Sequence, residues 1–230
     1  MFTDSMTRCP VTSLGSGSAR YNPRLLGGGS VVPYIGAWTG EPNCPTYVVR
    51  RPDKGIGYTD ETMLDRDQWG VLWTRIGSRV GVGNPLFKKL HPVRQRRAMR
   101  RLLCQVCAQP ADHTEEGSLW LVPADERNSG PGGPEGMTTI QPPLCVGCAR
   151  ISVRMCPALR VGATAVRAHS RVRGVNGVVF EPAGRYPGLS VTDRGEVIPY
   201  DDPEIAWVQA VLLARSLYDA AIVDLDGLTE

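Results

Sequence analysis

Apolar positions along this chain change their spacing several times, and each change marks an expected element. Alternating, β-branched and aromatic runs bounded by Pro, Gly and Asp predict strands at residues 31–38, 47–50 and 70–76. At Pro92 the spacing lengthens to that of a helix with proline at its first position, running to Leu103. On a helical wheel Ala98, Met99 and Leu102 form one stripe, and Arg94, Arg96, Arg97, Arg100 and Arg101 cover the opposite side. The wheel therefore predicts an amphipathic helix with its arginines outward. A strand follows at 118–122, then a polar, Pro/Gly-rich loop at 123–136 and a short return strand at 137–140. From Cys145 the pattern is helical as far as Pro157. Residues 163–172 and 175–180 read as a hairpin turning around Gly174–Gly177, and 196–199 as a further strand. Asp202-Pro203-Glu204 combines an N-cap, a first-position proline and a first-turn acid. It opens an expected helix at 203–218 that is apolar nearly all round and so belongs in the core.

These elements make an α+β chain with short strands and a C-terminal apolar helix. Residues 1–20, polar and Ser/Gly/Thr-rich, read as a tail, and 21–230 as one domain with a module at about 92–160. The triple glycine at 27–29 lacks the lysine and hydroxyl residue of a phosphate-binding loop and reads as a simple turn. No segment approaches the roughly 20 apolar residues a membrane span needs. No apolar leader opens the chain, so a cytoplasmic setting without membrane contact is expected.

Charge changes the picture more than composition does. The formal net charge is only +3, yet residues 1–74 carry 7 basic and 7 acidic side chains, residues 75–173 carry 16 and 6, and residues 174–230 carry 3 and 10. A basic middle third beside an acidic last third is an electrostatic footprint that the total conceals. The stretch 88–101 holds Lys88, Lys89, Arg94, Arg96, Arg97, Arg100 and Arg101 without an acid, and Arg150 and Arg154 extend the set. Arginine forks match phosphate oxygens, so these nine side chains are the candidate contacts to nucleic acid or to an acidic partner. The plainer readings are a solvated helix face, or one docked on the chain's own acidic third.

The sharpest chemical signal is Cys104-Gln-Val-Cys107 paired with Cys145-Val-Gly-Cys148. Two CxxC units predict four thiolates, Cys104, Cys107, Cys145 and Cys148, closing a tetrahedron around structural zinc. Knuckle, hairpin, then a helix whose first turn carries the last two ligands is a treble-clef-like order. Such a filled shell leaves no position for a catalytic water. Cys9, Cys44 and Cys156 fall outside the pattern and read as free thiols, Cys156 partly buried. Treble clefs include HNH nucleases, but Asp112-His113 stands ahead of the strand, no Asn precedes Cys145, and Ala149-Arg150 follows Cys148. The hydrolytic side chains that such chemistry requires are misplaced, and His113 reads as a surface loop residue. No other catalytic constellation, and no small-molecule substrate site, can be assembled.

The segments Arg96-Arg-Ala-Met-Arg-Arg-Leu-Leu-Cys-Gln-Val-Cys, Leu119-Trp-Leu-Val-Pro and Pro142-Pro-Leu-Cys-Val-Gly-Cys-Ala-Arg-Ile-Ser-Val-Arg-Met-Cys-Pro resemble a family of streptomycete and actinophage proteins. Pro23-Arg-Leu-Leu-Gly and Val32-Pro-Tyr-Ile are similar to the same group, so the resemblance spans most of the chain. It implies a recombination directionality factor as one role, a protein that binds a serine integrase and turns it toward excision. Three readings follow, in order of preference. The first is a non-enzymatic, zinc-stabilised regulatory protein acting on DNA or a DNA-bound protein. The second is a protein-only adaptor of the integrase-directing kind, and the third a degenerate HNH-type nuclease.

Overall fold

A computed structural model describes residues 21, 31–44, 46–52, 54–123, 134–182, 189–192 and 195–229. The expected tail, the triple glycine, Cys9 and most of the 123–136 loop lie outside the described residues. The first strands are β1 (Gly36–Trp38), β2 (Val48–Arg51), β3 (Gly55–Tyr58), β4 (Leu72–Trp73) and β5 (Pro85–Leu90). Helix α1 (Pro92–Arg101) leads to β6 (His113–Thr114), β7 (Gly117–Pro123) and β8 (Thr138–Thr139). Helices α2 (Val146–Met155) and α3 (Pro157–Arg160) precede β9 (Ala163–Pro182), β10 (Leu189–Thr192) and β11 (Val197–Pro199). A 3₁₀ turn at Pro203–Trp207 feeds the last strand, β12 (Val208–Ile222).

The chain is α+β and mostly sheet. An eight-stranded sheet runs β4-β12-β9-β7-β6, with β10 and β11 added along β9 and β8 along β12; β1–β5 and β2–β3 form separate two-stranded ribbons. All pairs are antiparallel except β12 with β4.

Two long strands replace elements expected otherwise. The Asp202 cap forms, its side chain accepting from the Glu204 amide, but helical geometry ends after five residues at Trp207. The expected C-terminal apolar helix is instead β12, paired along most of its length with β9. A run that is apolar all round suits a strand covered on both faces as well as a buried helix, and periodicity alone does not separate the two. Likewise, the expected hairpin at 163–180 is one continuous strand. Gly174 and Gly177 do not turn the chain; they admit neighbouring backbone. A Cβ at Gly174 would stand 2.1 Å from the Ile198 carbonyl oxygen, and one at Gly177 2.3 Å from that of Gln209. The 137–140 return strand also pairs elsewhere, with Arg215 and Ser216 of β12 rather than with β7.

Strand β7 shows how the layers meet. Trp120 and Val122 face a core with Met99 of α1, Val166, Val175 and Leu213. Leu119 and Leu121 face the opposite side, packing with Cys104, Val106, Leu144, Val146 and Cys148. The alternation is that of a strand buried on both faces, with the cysteine module on one and α1 on the other. Helix α1 is locked to β12 by Gln95, whose side chain donates to the Leu213 carbonyl (2.9 Å) and accepts from the Leu213 amide (3.0 Å).

Candidate metal centre and the fate of the basic side chains

Helix α1 ends at Leu102 in the left-handed region (φ 49°), and the chain then turns into the first cysteine pair. The Cys104 amide donates to the Gln109 carbonyl (2.7 Å) and the Ala108 amide to the Cys104 carbonyl (2.9 Å), making a tight knuckle with Ala108 at φ 60°. Backbone bonds clasp this knuckle to its surroundings: Gln105 N to Pro143 O (3.0 Å), and Tyr34 N to Val106 O (2.9 Å). The second pair opens α2, with Cys145 as N-cap residue and Cys148 at the third helical position. Those positions share one helix face, so both sulfurs can meet one point.

The four sulfurs converge. All lie within 4.8 Å of one another; Cys107–Cys145 is 3.8 Å and Cys104–Cys145 is 3.7 Å. A tetrahedron of sulfurs about 2.3 Å from a central ion has edges of about 3.8 Å. None of the four is in a disulfide. Cys104 and Cys148 are buried, and Cys107 and Cys145 partly so. The thiols share hydrogen bonds. For Cys104, Cys107 opposes ionisation while Cys145 and Cys148 favour it, and the net result is a value near 7. Cys107, favoured chiefly by Cys104, and Cys145, opposed by Cys104 but favoured by Cys107 and Cys148, also fall to about 7. Cys148 is pushed up by the other three, Cys104 first. Three thiols lowered to about 7 and a fourth that shares their hydrogen bonds are a donor set that could hold a metal ion. Among the described residues this is the one such group of His, Cys, Asp or Glu side chains. Cys156 is a free, partly buried thiol as expected, whereas Cys44 is disulfide-bonded rather than free.

The basic candidates part company. Arg94, expected outward, is 1% exposed. Its Nε donates to the Tyr34 carbonyl (2.8 Å), Nη2 to Glu41 Oε2 (2.9 Å) and the Gly36 carbonyl, and Nη1 to Glu41 Oε1. Burial would raise the Glu41 carboxyl, but hydrogen bonds and charge from Arg94 overcome this and hold it below the usual range. His91 caps α1 beside them: Nδ1 accepts from the Arg94 amide (3.4 Å), which leaves the proton on Nε2, 3.2 Å from the Gly77 carbonyl. Burial, then the Arg94 charge, lowers the His91 pKa. The wheel misplaced Arg94 because its counter-charge lies 53 residues away, in the turn after β1.

Arg96 is half-buried over the Trp73 ring, 3.9 Å from its centroid. Arg97 donates to the Tyr34 hydroxyl (2.9 Å). Arg150 is a clasp rather than a surface contact: its guanidinium reaches the carbonyls of Leu225, Asp226 and Leu228. Lys88, Lys89, Arg100, Arg101 and Arg154 are exposed. His113 is exposed as expected but belongs to strand β6, its Nδ1 3.1 Å from Ser118 Oγ, while Asp112 pairs with Arg167. Glu41 and His91, central to this buried polar cluster, were not singled out by the sequence reading; a histidine directly before a first-position proline is the one local hint that a cap stood there.

No helix among the described residues is long and apolar enough to cross a membrane. No protein-family model, curated protein or solved structure matches the chain.

Proposed function

We propose that Cys104, Cys107, Cys145 and Cys148 hold a structural zinc ion in a treble-clef-like unit, and that the protein is a non-enzymatic binding protein. The observation that carries this reading is the convergence of four free thiols within 4.8 Å, with the Cys107–Cys145 and Cys104–Cys145 separations at the edge length of a ZnS₄ tetrahedron. Four thiolates fill the shell, so the metal serves shape rather than chemistry. The β6–β7 hairpin between the knuckle and α2 supports the treble-clef description. The unit acts on DNA or a DNA-bound protein through Lys88, Lys89, Arg100, Arg101 and Arg154, the five candidates that remain exposed.

Metal analysis of the purified chain should give about one zinc per molecule. Duplex-DNA binding should weaken steeply with salt, and charge reversal at Lys88, Lys89 and Arg101 should reduce both affinity and salt slope. Salt-insensitive or absent binding would remove the DNA reading. A protein-only adaptor, such as a factor directing a serine integrase, is the second reading. It is favoured by the internal engagement of Arg94, Arg97 and Arg150, which leaves fewer forks for phosphate. Metal-dependent DNA cleavage lost on His113→Ala would reverse the non-enzymatic reading.

A further inference from the structure

Three aromatic side chains gather around one carboxylate on the α1 side of the sheet. Asp67 Oδ2 accepts from the Trp73 indole N–H (2.9 Å) and the Tyr200 hydroxyl (2.8 Å), and Oδ1 from the backbone amides of Trp69 (3.0 Å) and Val71 (3.1 Å). The Tyr200 ring stacks on Trp69, centroids 4.3 Å and planes 26° apart. Trp73 is buried, but Trp69 is 44% exposed, so the stack reaches the surface. A single acid thus fixes an aromatic platform in place.

Arg96 completes the cluster and is the anomaly in it. Its guanidinium lies over Trp73 and feels the Asp67 charge, yet its Nε is buried without a hydrogen-bond partner. Arg94, two residues earlier, has every guanidinium nitrogen engaged by carbonyl, carboxylate or hydroxyl. Leaving a buried guanidinium N–H without an acceptor is costly. Arg100 stands one turn further along α1 and is exposed, so the two guanidinia share a face. Burial, and then repulsion from Arg100, bring Arg96 down to about 10. Trp73, beneath the Arg96 guanidinium, shares Asp67 Oδ2 with the Tyr200 hydroxyl, which brings Arg96 to the platform. What the cluster lacks is an acceptor that hydrogen-bonds the buried Nε of Arg96, because the Asp67 oxygens are already taken by Trp73, Tyr200 and two amides.

We propose that Arg96 and Arg100 with the Trp69–Tyr200 stack form a site for an unpaired nucleotide of single-stranded nucleic acid. The phosphate occupies the paired guanidinium forks, and the base lies on the exposed Trp69 ring. Forked donors match phosphate oxygens, and any base offers a π-face to a fixed aromatic, so the combination suits a strand whose bases are free. A base stacked inside a duplex could not reach Trp69. This inference rests on the nucleic-acid reading above and adds the state of the strand and the residues that hold it.

The test uses the full, zinc-loaded chain with a fluorescent thymidine oligonucleotide and, separately, a duplex of equal length. Trp69→Ala and Arg100→Ala alter exposed side chains and should melt close to the parent. Each should weaken oligonucleotide binding by about tenfold, the scale of one stacked base or one charge-assisted contact. Tryptophan fluorescence of the unaltered protein should be quenched by the oligonucleotide and not by inorganic phosphate, which keeps the test open if a variant misfolds. Unchanged oligonucleotide affinity in both variants, or no quenching on binding, overturns this site. If duplex binding then persists and depends on Lys88, Lys89 and Arg101, the broader reading survives without it. Failure to bind either nucleic acid, with an acidic protein retained instead, removes both.

Discussion

The two ten-residue helices of this protein begin alike and are completed differently. In α1 the N-cap residue His91 and the third residue, Arg94, enter a buried polar cluster; in α2 the same two positions are Cys145 and Cys148. The α1 cluster is closed by the chain itself, because Glu41 supplies the opposite charge and Tyr34 and Gly36 supply carbonyls. The α2 cluster consists of four like groups that gain negative charge as they ionise, with one another as hydrogen-bond partners. It could hold a cation from outside. On the zinc reading proposed above, one helix start is autonomous and the other conditional, and the β1 segment touches both: Ile35 accepts from the His91 amide through its carbonyl and donates to the Gln105 carbonyl in the knuckle.

The largest expected effect breaks the conditional side. Binding of structural zinc is itself folding free energy, of the order of 10 kcal/mol in small metal-dependent units at neutral pH. Chelation, or Cys148→Ser, should release the metal and expose the amides of the 104–109 knuckle and of α2 to hydrogen exchange well before those of the β9–β12 ladder. A metal-free protein that melts and exchanges as the parent does would refute the zinc assignment. The Glu41–Arg94 cluster should not respond to chelator except through its shared backbone.

Breaking the autonomous side should cost less. Glu41→Ala leaves the 1%-exposed Arg94 without its carboxylate, and an orphaned buried charge destabilises by about 3–5 kcal/mol. Chemical denaturation measures this directly, and zinc content should stay at the parent level. A loss under about 1 kcal/mol would mean that water reaches Arg94, against its observed burial.

Acid should weaken the α1 cluster through two groups of the same sign. His91 is held below its ordinary 6.5, so the unfolded chain takes up a proton first and stability declines as pH falls through 6.5. Glu41 is held below its ordinary 4.5, so its contribution is complete above that value and disappears as pH falls through the lowered folded one. His91→Asn keeps a good helix cap and should flatten the slope between about 6.5 and 4.5 in a series of melts with zinc in excess. An unchanged slope would assign it to other groups.

This asymmetry also explains what could be read in the sequence. The cysteine pairs, the 118–122 strand and the helix from Cys145 rest on local spacing, and the sulfurs do meet. The α1 helix was equally legible, but the side its arginines face was not. A wheel assigns faces by polarity, and Arg94 contradicts polarity because Glu41, remote in sequence, neutralises it. Residues 203–218 were misjudged for a related reason. The cap at Asp202 is genuine, yet pairing with β9 decides the backbone after Trp207, and only a partner strand reveals that choice. Glycines 174 and 177 carry the same lesson, since what they accommodate is the backbone of β11 and β12. Arg96, expected outward, is half-buried because its ring partner, Trp73, belongs to another element.

The smallest expected effect sharpens the contrast furthest. If the α1 cluster is a self-contained ion pair, its net contribution should be modest despite the cost of halving it. Replacing a buried pair with apolar side chains of similar volume is often neutral, or stabilising by about 1–4 kcal/mol, because desolvation of both ions is avoided. Glu41→Leu with Arg94→Met should therefore lie near the parent in stability, far above Glu41→Ala alone. The Tyr34 and Gly36 carbonyls and the Trp38 and Arg79 amides would lose side-chain partners, and that loss sets the limit of recovery. The acid slope attributable to Glu41 should vanish in the double variant. On the proposed zinc reading no comparable apolar replacement is expected for the four cysteines, because a bound ion would contribute beyond the packing they make with Val106, Leu119 and Leu144. If the double variant were as unstable as Glu41→Ala, the α1 cluster would be held by its specific hydrogen bonds, and the two helix starts would be more alike than their chemistry suggests.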